Sequence, residues 1–175
     1  MKTLVFDTET TGLIKNKLQP LDRQPQVIEF FGLSLEDGDE KAALSQLFNP
    51  NKPLEEIITK ITGITDKDLS TAPNFSEHAS RIKEFIESHD EIVAHNLSFD
   101  RSIVDFEMAR CKLKIEWPKL ICTVEATHYM LGHRLNLSKL HELLFGEAFE
   151  GAHRAEIDVR ALARCFNELR KMEIV

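Results

Sequence analysis

Residues 27–48 have the sequence VIEFFGLSLEDGDEKAALSQLF, and this stretch decides the fold. Residues 27–35 are rich in β-branched and aromatic side chains, which is typical of a strand. The segment Glu36-Asp37-Gly38-Asp39 is a hairpin-turn signal, and residues 41–48 are predicted to return as another strand. A short β-rich run at residues 3–6 precedes them. The three runs predict an antiparallel meander.

The period of the apolar residues changes after the meander. From Pro53 to Gly63, apolar side chains recur at helical spacing, and further helices are predicted at about residues 74–87, 100–112, 123–131, 138–145 and 155–171. Short strands are predicted at residues 92–94 and 120–122. Strands followed by a mixture of strands and helices indicate an α/β sheet with an antiparallel edge and helical cover. No repeat or linker interrupts the chain, so we expect a single domain over residues 1–175.

Composition excludes several classes of protein. The 175 residues are 42% apolar and include eleven Phe, so the chain is not disordered. No apolar run is long enough for a membrane helix, and Asp7 interrupts the first apolar stretch too early for a signal peptide. Cys111, Cys122 and Cys165 have neither disulfide-framework nor zinc-site spacing. We therefore expect a cytoplasmic protein with no membrane contact. Its net charge of −7 argues against diffuse attraction to nucleic acid.

Asp7 and Glu9 stand near the end of the first predicted strand. Side chains two positions apart in an extended chain project from the same face, so the two carboxylates should meet there. Like charges held this close repel unless a cation lies between them, and carboxylate oxygens suit Mg²⁺ or Mn²⁺. The alternative is that both acids are simply solvated in a polar turn.

Two further clusters contain acids. Asp100 lies in HNLSFD, residues 95–100, near the start of a helix, where the helix dipole favours an acid without any other role. The segment HRAEID, residues 153–158, ends in Asp158. On one helix His153 and Asp158 would lie about 140° apart, so we place Asp158 on the helix and His153 in the loop before it. Gly146 and Gly151 bracket that loop, and a lone His is often only structural.

Together these residues resemble the DEDDh group of 3′-to-5′ exonucleases. The matching motifs are Asp7-x-Glu9-Thr-Thr-Gly-Leu, then His95-Asn96-x-x-Phe99-Asp100, then His153-x-Ala-x-x-Asp158, in that order along the chain. The group includes the proofreading epsilon subunit of bacterial DNA polymerase III. The resemblance implies a ribonuclease H-like mixed sheet flanked by helices.

The resemblance also implies a role for each motif residue. Asp7, Glu9 and Asp158 would hold one divalent ion, and Asp7 would be shared with a second ion supported by Asp100. The two ions would be Mg²⁺ or Mn²⁺, clamping the attacking and leaving oxygens at phosphorus. His153 would accept a proton from the attacking water. The products would be nucleoside 5′-monophosphates released from a 3′ end.

Other motif residues resemble the family's substrate contacts. The set comprises Thr8, Thr10, Thr11, Gly12, Leu13, Thr62, Asn96 and Phe99. Around Thr8 to Thr11, backbone groups would meet the terminal nucleotide. Leu13 would pack against the terminal base, although Leu13 and Phe99 suit a core equally well. Thr62 stands where the family often has His, which puts that contact in doubt, and Leu97 replaces a commonly small residue.

Several alternatives stay open at this point. An aspartyl-nucleophile phosphotransferase and a non-catalytic nucleic-acid-binding module are the rival functions. The sequence does not separate DNA from RNA, although single-stranded 3′ ends are preferred and DNA is favoured. Because the chain ends at Val175, we expect a free-standing exonuclease first and a proofreading partner of a DNA polymerase second. The oligomeric state is undecided. The basic stretch at residues 101–139 is either a phosphate-contacting surface or an ordinary solvated helix face.

Overall fold

A computed structural model of the chain describes residues 1–151 and 153–175. Five strands form one mixed sheet in the order β3-β2-β1-β4-β5. The strands are β1 (Lys2–Thr10), β2 (Val27–Glu36), β3 (Asp39–Leu47), β4 (Glu91–Ala94) and β5 (Lys119–Cys122). The pairs β1–β2 and β2–β3 are antiparallel, whereas β4 runs parallel to both β1 and β5. The predicted meander is confirmed, and its first strand is the central strand of the sheet.

The helices match the predicted order, but the first two helices and the strand β1 differ from the prediction in extent or presence. They are α1 (Glu56–Thr62), α2 (Asp66–Leu69), α3 (Phe75–Glu87), α4 (Leu97–Arg110), α5 (Thr123–Leu131), α6 (Leu137–Phe145) and α7 (Ala155–Lys171), with a 3₁₀ turn at Leu21–Arg23. β1 extends to Thr10 rather than ending at residue 6, and the short α2 was not predicted. α1 begins three residues later than Pro53, since Glu55 is still extended (φ −66°, ψ 139°), and the Leu54 amide donates to the Asp66 carboxylate at 2.9 Å.

The sheet is covered by helices on both faces. Leu4 and Phe6 of β1 pack with α3 and α4 on one face, and Val5 packs with α7 on the other. Side chains of a strand alternate between the faces, so Thr8 continues on the α4 side while Asp7 and Glu9 continue on the α7 side. This alternation places the acids of β1 opposite the start of α7. Within the described residues, no helix is both long and apolar enough to cross a membrane.

Candidate active site

Three carboxylates converge between β1 and α7. Asp7 and Glu9 point from the end of β1 to the face that α7 covers, and Asp158 lies in the first turn of α7. One oxygen from each of the three lies within 4.8 Å of the others. The prediction that Asp7 and Glu9 share a face is confirmed, and the fold adds Asp158 from 149 residues further along the chain.

Asp7 and Glu9 lack compensating partners. Among the described residues, none donates a hydrogen bond to either carboxylate and none forms an ion pair with it. Burial and the neighbouring acids therefore raise their pKa values. The Asp7 pKa lies well above its usual range, first because of desolvation and then because of Asp100, Glu9 and Asp158. Desolvation, followed by repulsion from Asp158 and Glu29, raises the Glu9 pKa to about 8.

Asp100 is held on the other side of β1. It is buried in the first turn of α4, and its Oδ1 accepts hydrogen bonds from the Thr8 hydroxyl at 2.7 Å and the Thr8 amide at 3.1 Å. Desolvation raises the Asp100 pKa to about 7, against the lowering effect of the Thr8 hydrogen bonds. Asp100 is close enough to raise the pKa of Asp7 but does not belong to the group of three converging oxygens. The Thr8 side chain thus fixes Asp100, while the predicted contact of its backbone with substrate stays a prediction.

His153 lies in the loop immediately before α7, as the helical geometry predicted. Its backbone is left-handed, with φ of 72°, and its amide donates to Asp158 Oδ2 at 2.8 Å. The side chain of His153 is exposed. Desolvation raises the Asp158 pKa, and the His153 amide acts in the opposite direction. The backbone of His153 thus orients a carboxylate while its imidazole remains accessible.

Sequence reasoning missed the pair formed by Glu29 and Arg154. Glu29 is directly opposite Glu9 in the β1–β2 register, and only 4% of it is exposed. Arg154 donates to both Glu29 oxygens, at 3.0 and 3.3 Å, and the Ala155 amide donates to Glu29 at 3.1 Å. The pair ties the start of α7 to β2 beside the carboxylates. One feature of the sequence could have indicated a buried, paired acid: Glu29 shares a face of β2 with the buried Phe31, and the other inward positions of that strand are apolar.

The predicted substrate contacts fall into two groups. Leu13, in the turn after β1, and Asn96, immediately before α4, are exposed; 77% of Leu13 is accessible, so the alternative that Leu13 belongs to the core is wrong. Thr10 and Thr11 use their hydroxyls to shape the turn after β1: Thr10 donates to the Gly12 carbonyl, and Thr11 accepts from the Gln26 amide.

Thr62 and Phe99 are not exposed in the way that a simple substrate contact would be. Thr62 is buried, and its hydroxyl donates to the Ile58 carbonyl at 2.9 Å and accepts from the Ile64 amide at 3.1 Å. These bonds occupy the hydroxyl within the end of α1, so the structure disagrees with a Thr62 side-chain contact to a nucleotide. Phe99 is partly buried and packs against the core between the sheet, α3 and α4, while part of its ring remains accessible.

The donor set fits a divalent cation. Carboxylate oxygens are the ligands that Mg²⁺ and Mn²⁺ prefer. Glu29 is neutralised by Arg154 and Asp100 is held by Thr8, whereas Asp7 and Glu9 face each other and Asp158 with no cationic side chain between them. A bound cation would remove the repulsion that raises their pKa values.

The sequence matches one protein family, described as Exonuclease, over residues 4–166. It is 32% identical over 168 residues to the DNA polymerase III subunit epsilon of Treponema pallidum, covering 94% of this chain and 74% of that protein. It is also 31% identical over 167 residues to the PolC-type DNA polymerase III of Bacillus subtilis. That match covers 91% of this chain but only 11% of the relative.

Solved structures share the fold. The nuclease domain of 3′hExo, a DEDDh family member bound to rAMP, has a TM-score of 0.80 at 16% identity, covering 98% of this chain and 92% of that one. Exonuclease X in complex with 5′ overhanging duplex DNA has a TM-score of 0.71 at 22% identity, covering 97% and 92%. These likenesses confirm the predicted ribonuclease H-like sheet with flanking helices.

Proposed function

This chain belongs to the DEDDh-type 3′-to-5′ exonuclease family, and we propose that it removes nucleotides from single-stranded or frayed 3′ ends, DNA in preference to RNA, using two divalent cations. Family membership makes it a hydrolytic nuclease and decides against both an aspartyl-nucleophile phosphotransferase and a non-catalytic module. The family depends on divalent metal. The observation that carries the proposal is the convergence of Asp7, Glu9 and Asp158 without a cationic partner.

The residues proposed to hold metal are those that the family resemblance implies, and the convergence of Asp7, Glu9 and Asp158 supports the first site. Asp7, Glu9 and Asp158 would bind one cation, and Asp100 would support a second one that shares Asp7. Mg²⁺ or Mn²⁺, when bound, neutralises the carboxylates and stabilises negative charge on the oxygens of the reacting phosphate. Asp100 keeps one oxygen, Oδ2, free of the Thr8 hydrogen bonds, so it can act without giving up its anchor.

The chain's own groups would perform the remaining chemistry. The oxygen of a water molecule bonds to phosphorus, and its proton passes to an imidazole nitrogen of His153, which is exposed next to Asp158. The bond from phosphorus to the 3′ oxygen of the preceding nucleotide then breaks; that oxygen leaves with the bonding electron pair and takes up a proton from water, so the products are a nucleoside 5′-monophosphate and a strand with a free 3′-hydroxyl. The exposed Leu13 and Asn96 and the partly buried Phe99 would position the terminal nucleotide.

A direct assay tests this proposal. Wild-type protein is incubated with a 5′-fluorescein-labelled thymidylate 12-mer in Mg²⁺, in Mn²⁺ or in EDTA, and released nucleotide is identified by chromatography. We expect thymidine 5′-monophosphate with either metal and none in EDTA. Asp7→Asn and His153→Ala should each lower the rate at least 100-fold, whereas Glu36→Gln, at the exposed end of β2, should match wild type. Release without metal, or unchanged rates in both variants, would refute the proposal.

A second proposal is that the domain acts with a DNA polymerase in the cytoplasm. Its support is the 32% identity to a polymerase III epsilon subunit over most of both chains. Faster hydrolysis of a primer with a mismatched 3′ base, whose end frays into single strand, is expected with or without a polymerase partner, so the complex itself must be detected. Gel filtration with a bacterial replicative polymerase subunit would detect the complex, and separate elution would favour a free-standing enzyme.

A further inference from the structure

An open cavity of about 530 Å³ begins at the turn after β1. Thr11, Gly12 and Leu13 line one end of it, so the cavity is continuous with the site where the terminal nucleotide is proposed to bind. Its other walls come from the segment after that turn and from the start of α1. None of the four site carboxylates lines this cavity.

The walls carry cations that no acid neutralises. Lys15, Arg23 and Lys52 line the cavity, and among the described residues none of them forms an ion pair. Glu55 is the acid of the same lining. Positive charge thus predominates in this cavity, although the whole protein carries a net charge of −7.

Most basic side chains of residues 101–139, in contrast, form ion pairs. Six of the seven are paired with acids: Arg101–Asp105, Arg110–Glu107, Lys114–Glu116, Lys119–Glu91, Arg134–Glu125 and Lys139–Glu142. Each pair brings a carboxylate that would repel a phosphate. The interpretation of this stretch as a solvated, ion-paired surface is therefore favoured over a phosphate-contacting one.

The cavity also exposes aliphatic side chains. The sequence pattern predicted one apolar face for α1, yet 51% of Ile57 and 46% of Ile61 are exposed, and Leu13 is more exposed still. Ile57, Ile61 and Leu13 all line the cavity. Apolar surface beside unpaired cations matches the two chemistries of a nucleic acid strand, whose bases need flat apolar contact and whose phosphates need positive charge.

Hydrogen bonds hold in place the wall of the cavity that carries Arg23. The Gln24 side-chain amide donates to the carbonyls of Asn16 and Gln19, at 2.9 and 3.0 Å. Arg110 of α4 donates to the carbonyls of Leu21 and Gln24, at 2.7 and 2.9 Å. These bonds fix the segment from residue 16 to residue 24 against the domain, so its cations are presented by an ordered surface.

We infer that Lys15, Arg23, Lys52, Leu13, Ile57 and Ile61 form a cationic groove that binds the single strand on the 5′ side of the scissile phosphate, an inference that rests on the proposed exonuclease function. The groove contacts the part of the strand that is retained after hydrolysis. It would therefore govern affinity for long substrates rather than the chemistry at the 3′ end. Its ligand is a single-stranded polyanion with bases, and backbone charge is the feature it recognises.

Two substrates separate the groove from the reacting centre. The first is the 5′-fluorescein-labelled thymidylate 12-mer, and the second is the p-nitrophenyl ester of thymidine 5′-monophosphate, which has no strand beyond the scissile bond. Lys15→Ala, Arg23→Ala and Lys52→Ala should each raise KM for the 12-mer about two- to fivefold relative to KM for the ester, at unchanged kcat. The dependence of log kcat/KM on log salt should become shallower by about 0.7 for each cation removed.

Matched controls lie elsewhere on the surface. Lys2→Ala changes an exposed cation at the opposite end of β1, and Arg81→Ala changes an exposed one on α3. Neither should alter the ratio of the two KM values. Glu55→Gln removes the acid from the groove and should lower KM for the 12-mer, which a loss of folding could not produce.

The outcomes separate the groove from the activity itself. An unchanged KM ratio in the triple variant Lys15→Ala, Arg23→Ala, Lys52→Ala, or an equal loss on both substrates, would overturn the inference while leaving the exonuclease intact. If wild type hydrolyses neither substrate, the proposed function is wrong. Fluorescence anisotropy of the labelled 12-mer in EDTA then still decides the groove: weaker binding by the triple variant supports it, and equal binding overturns it.

Discussion

The metal-free protein should gain stability when one carboxylate of the site is neutralised. The most informative change is Glu9→Gln, because glutamine has nearly the same shape as protonated glutamate and cannot ionise. In the folded protein the Glu9 pKa is raised from 4.5 to about 8, mainly by desolvation and by Asp158. Below pH 4.5 Glu9 is protonated whether the chain is folded or not, so the substitution should change little there.

The sign of the effect follows from proton binding. Between pH 4.5 and about 8 the folded state holds a proton on Glu9 that the unfolded state has released, so the free energy of unfolding falls as pH rises. A fully desolvated carboxyl with this shift would cost about 5 kcal/mol above pH 8. Because Glu9 is only half-buried, solvent screening reduces the cost to about 2 kcal/mol. For a chain of this length, that corresponds to a rise in Tm of roughly 4–8 °C in the variant.

Circular dichroism melts in EDTA, at half-unit steps from pH 5 to pH 9, measure this difference. Glu36→Gln is the matched control, since it changes an exposed glutamate of β2. The gap between Glu9→Gln and wild type should widen with pH, and saturating Mn²⁺ should reverse it, because cation binding stabilises only the folded wild type strongly. A gap that is absent at pH 9, or constant across the pH range, would refute electrostatic repulsion as its cause.

Three further predictions concern other parts of the molecule. His153→Ala should lower kcat for the thymidylate 12-mer about 10²- to 10⁴-fold, while Mn²⁺ still raises Tm as in wild type; loss of the Tm shift would contradict a role confined to proton transfer. Arg154→Ala leaves Glu29 buried without its partner and should destabilise the protein by about 2 kcal/mol in urea unfolding. Arg154→Lys should have an intermediate effect, because lysine keeps the charge but cannot donate the two hydrogen bonds of the guanidinium group. Gly32→Ala should cost about 1–3 kcal/mol in the same assay, since an added Cβ would lie 2.9 Å from the Phe85 ring; an unchanged midpoint would show that the ring yields freely.

The central part of the site could be predicted from local rules. Asp7 and Glu9 share a face because strand side chains alternate, and no tertiary information was needed to see it. The position of His153 before α7 followed from helical geometry, since a residue five places from Asp158 lies on a different side of a helix. Both rules relate residues that are at most five positions apart in the sequence. Local rules also gave the meander, whose turn at residues 36–39 lies between clear strand patterns.

The partners of these residues depend on tertiary contacts between distant segments. Glu29 and Arg154 are 125 residues apart and meet only because β2 lies beside β1 while α7 crosses above them. Thr8 was predicted to contact substrate from its place in the motif. Its strand position points its side chain at α4, where it also holds Asp100, and the sequence alone does not tell which helix covers which face. Motif residues can therefore support the site by fixing a neighbour rather than by touching substrate.

The net charge alone gives the wrong expectation about nucleic-acid binding, because it does not show where the fold places each charge. A protein at −7 should repel nucleic acid if its charges were spread evenly. Many of its cations are held in ion pairs, including most of the basic stretch at residues 101–139. Uncompensated negative charge gathers on Asp7 and Glu9, where a divalent cation would reverse its effect on a phosphate. Uncompensated positive charge lines the cationic groove next to it. The acidic total and affinity for a 3′ end are compatible, because a strand entering this site meets local charges of the sign it requires.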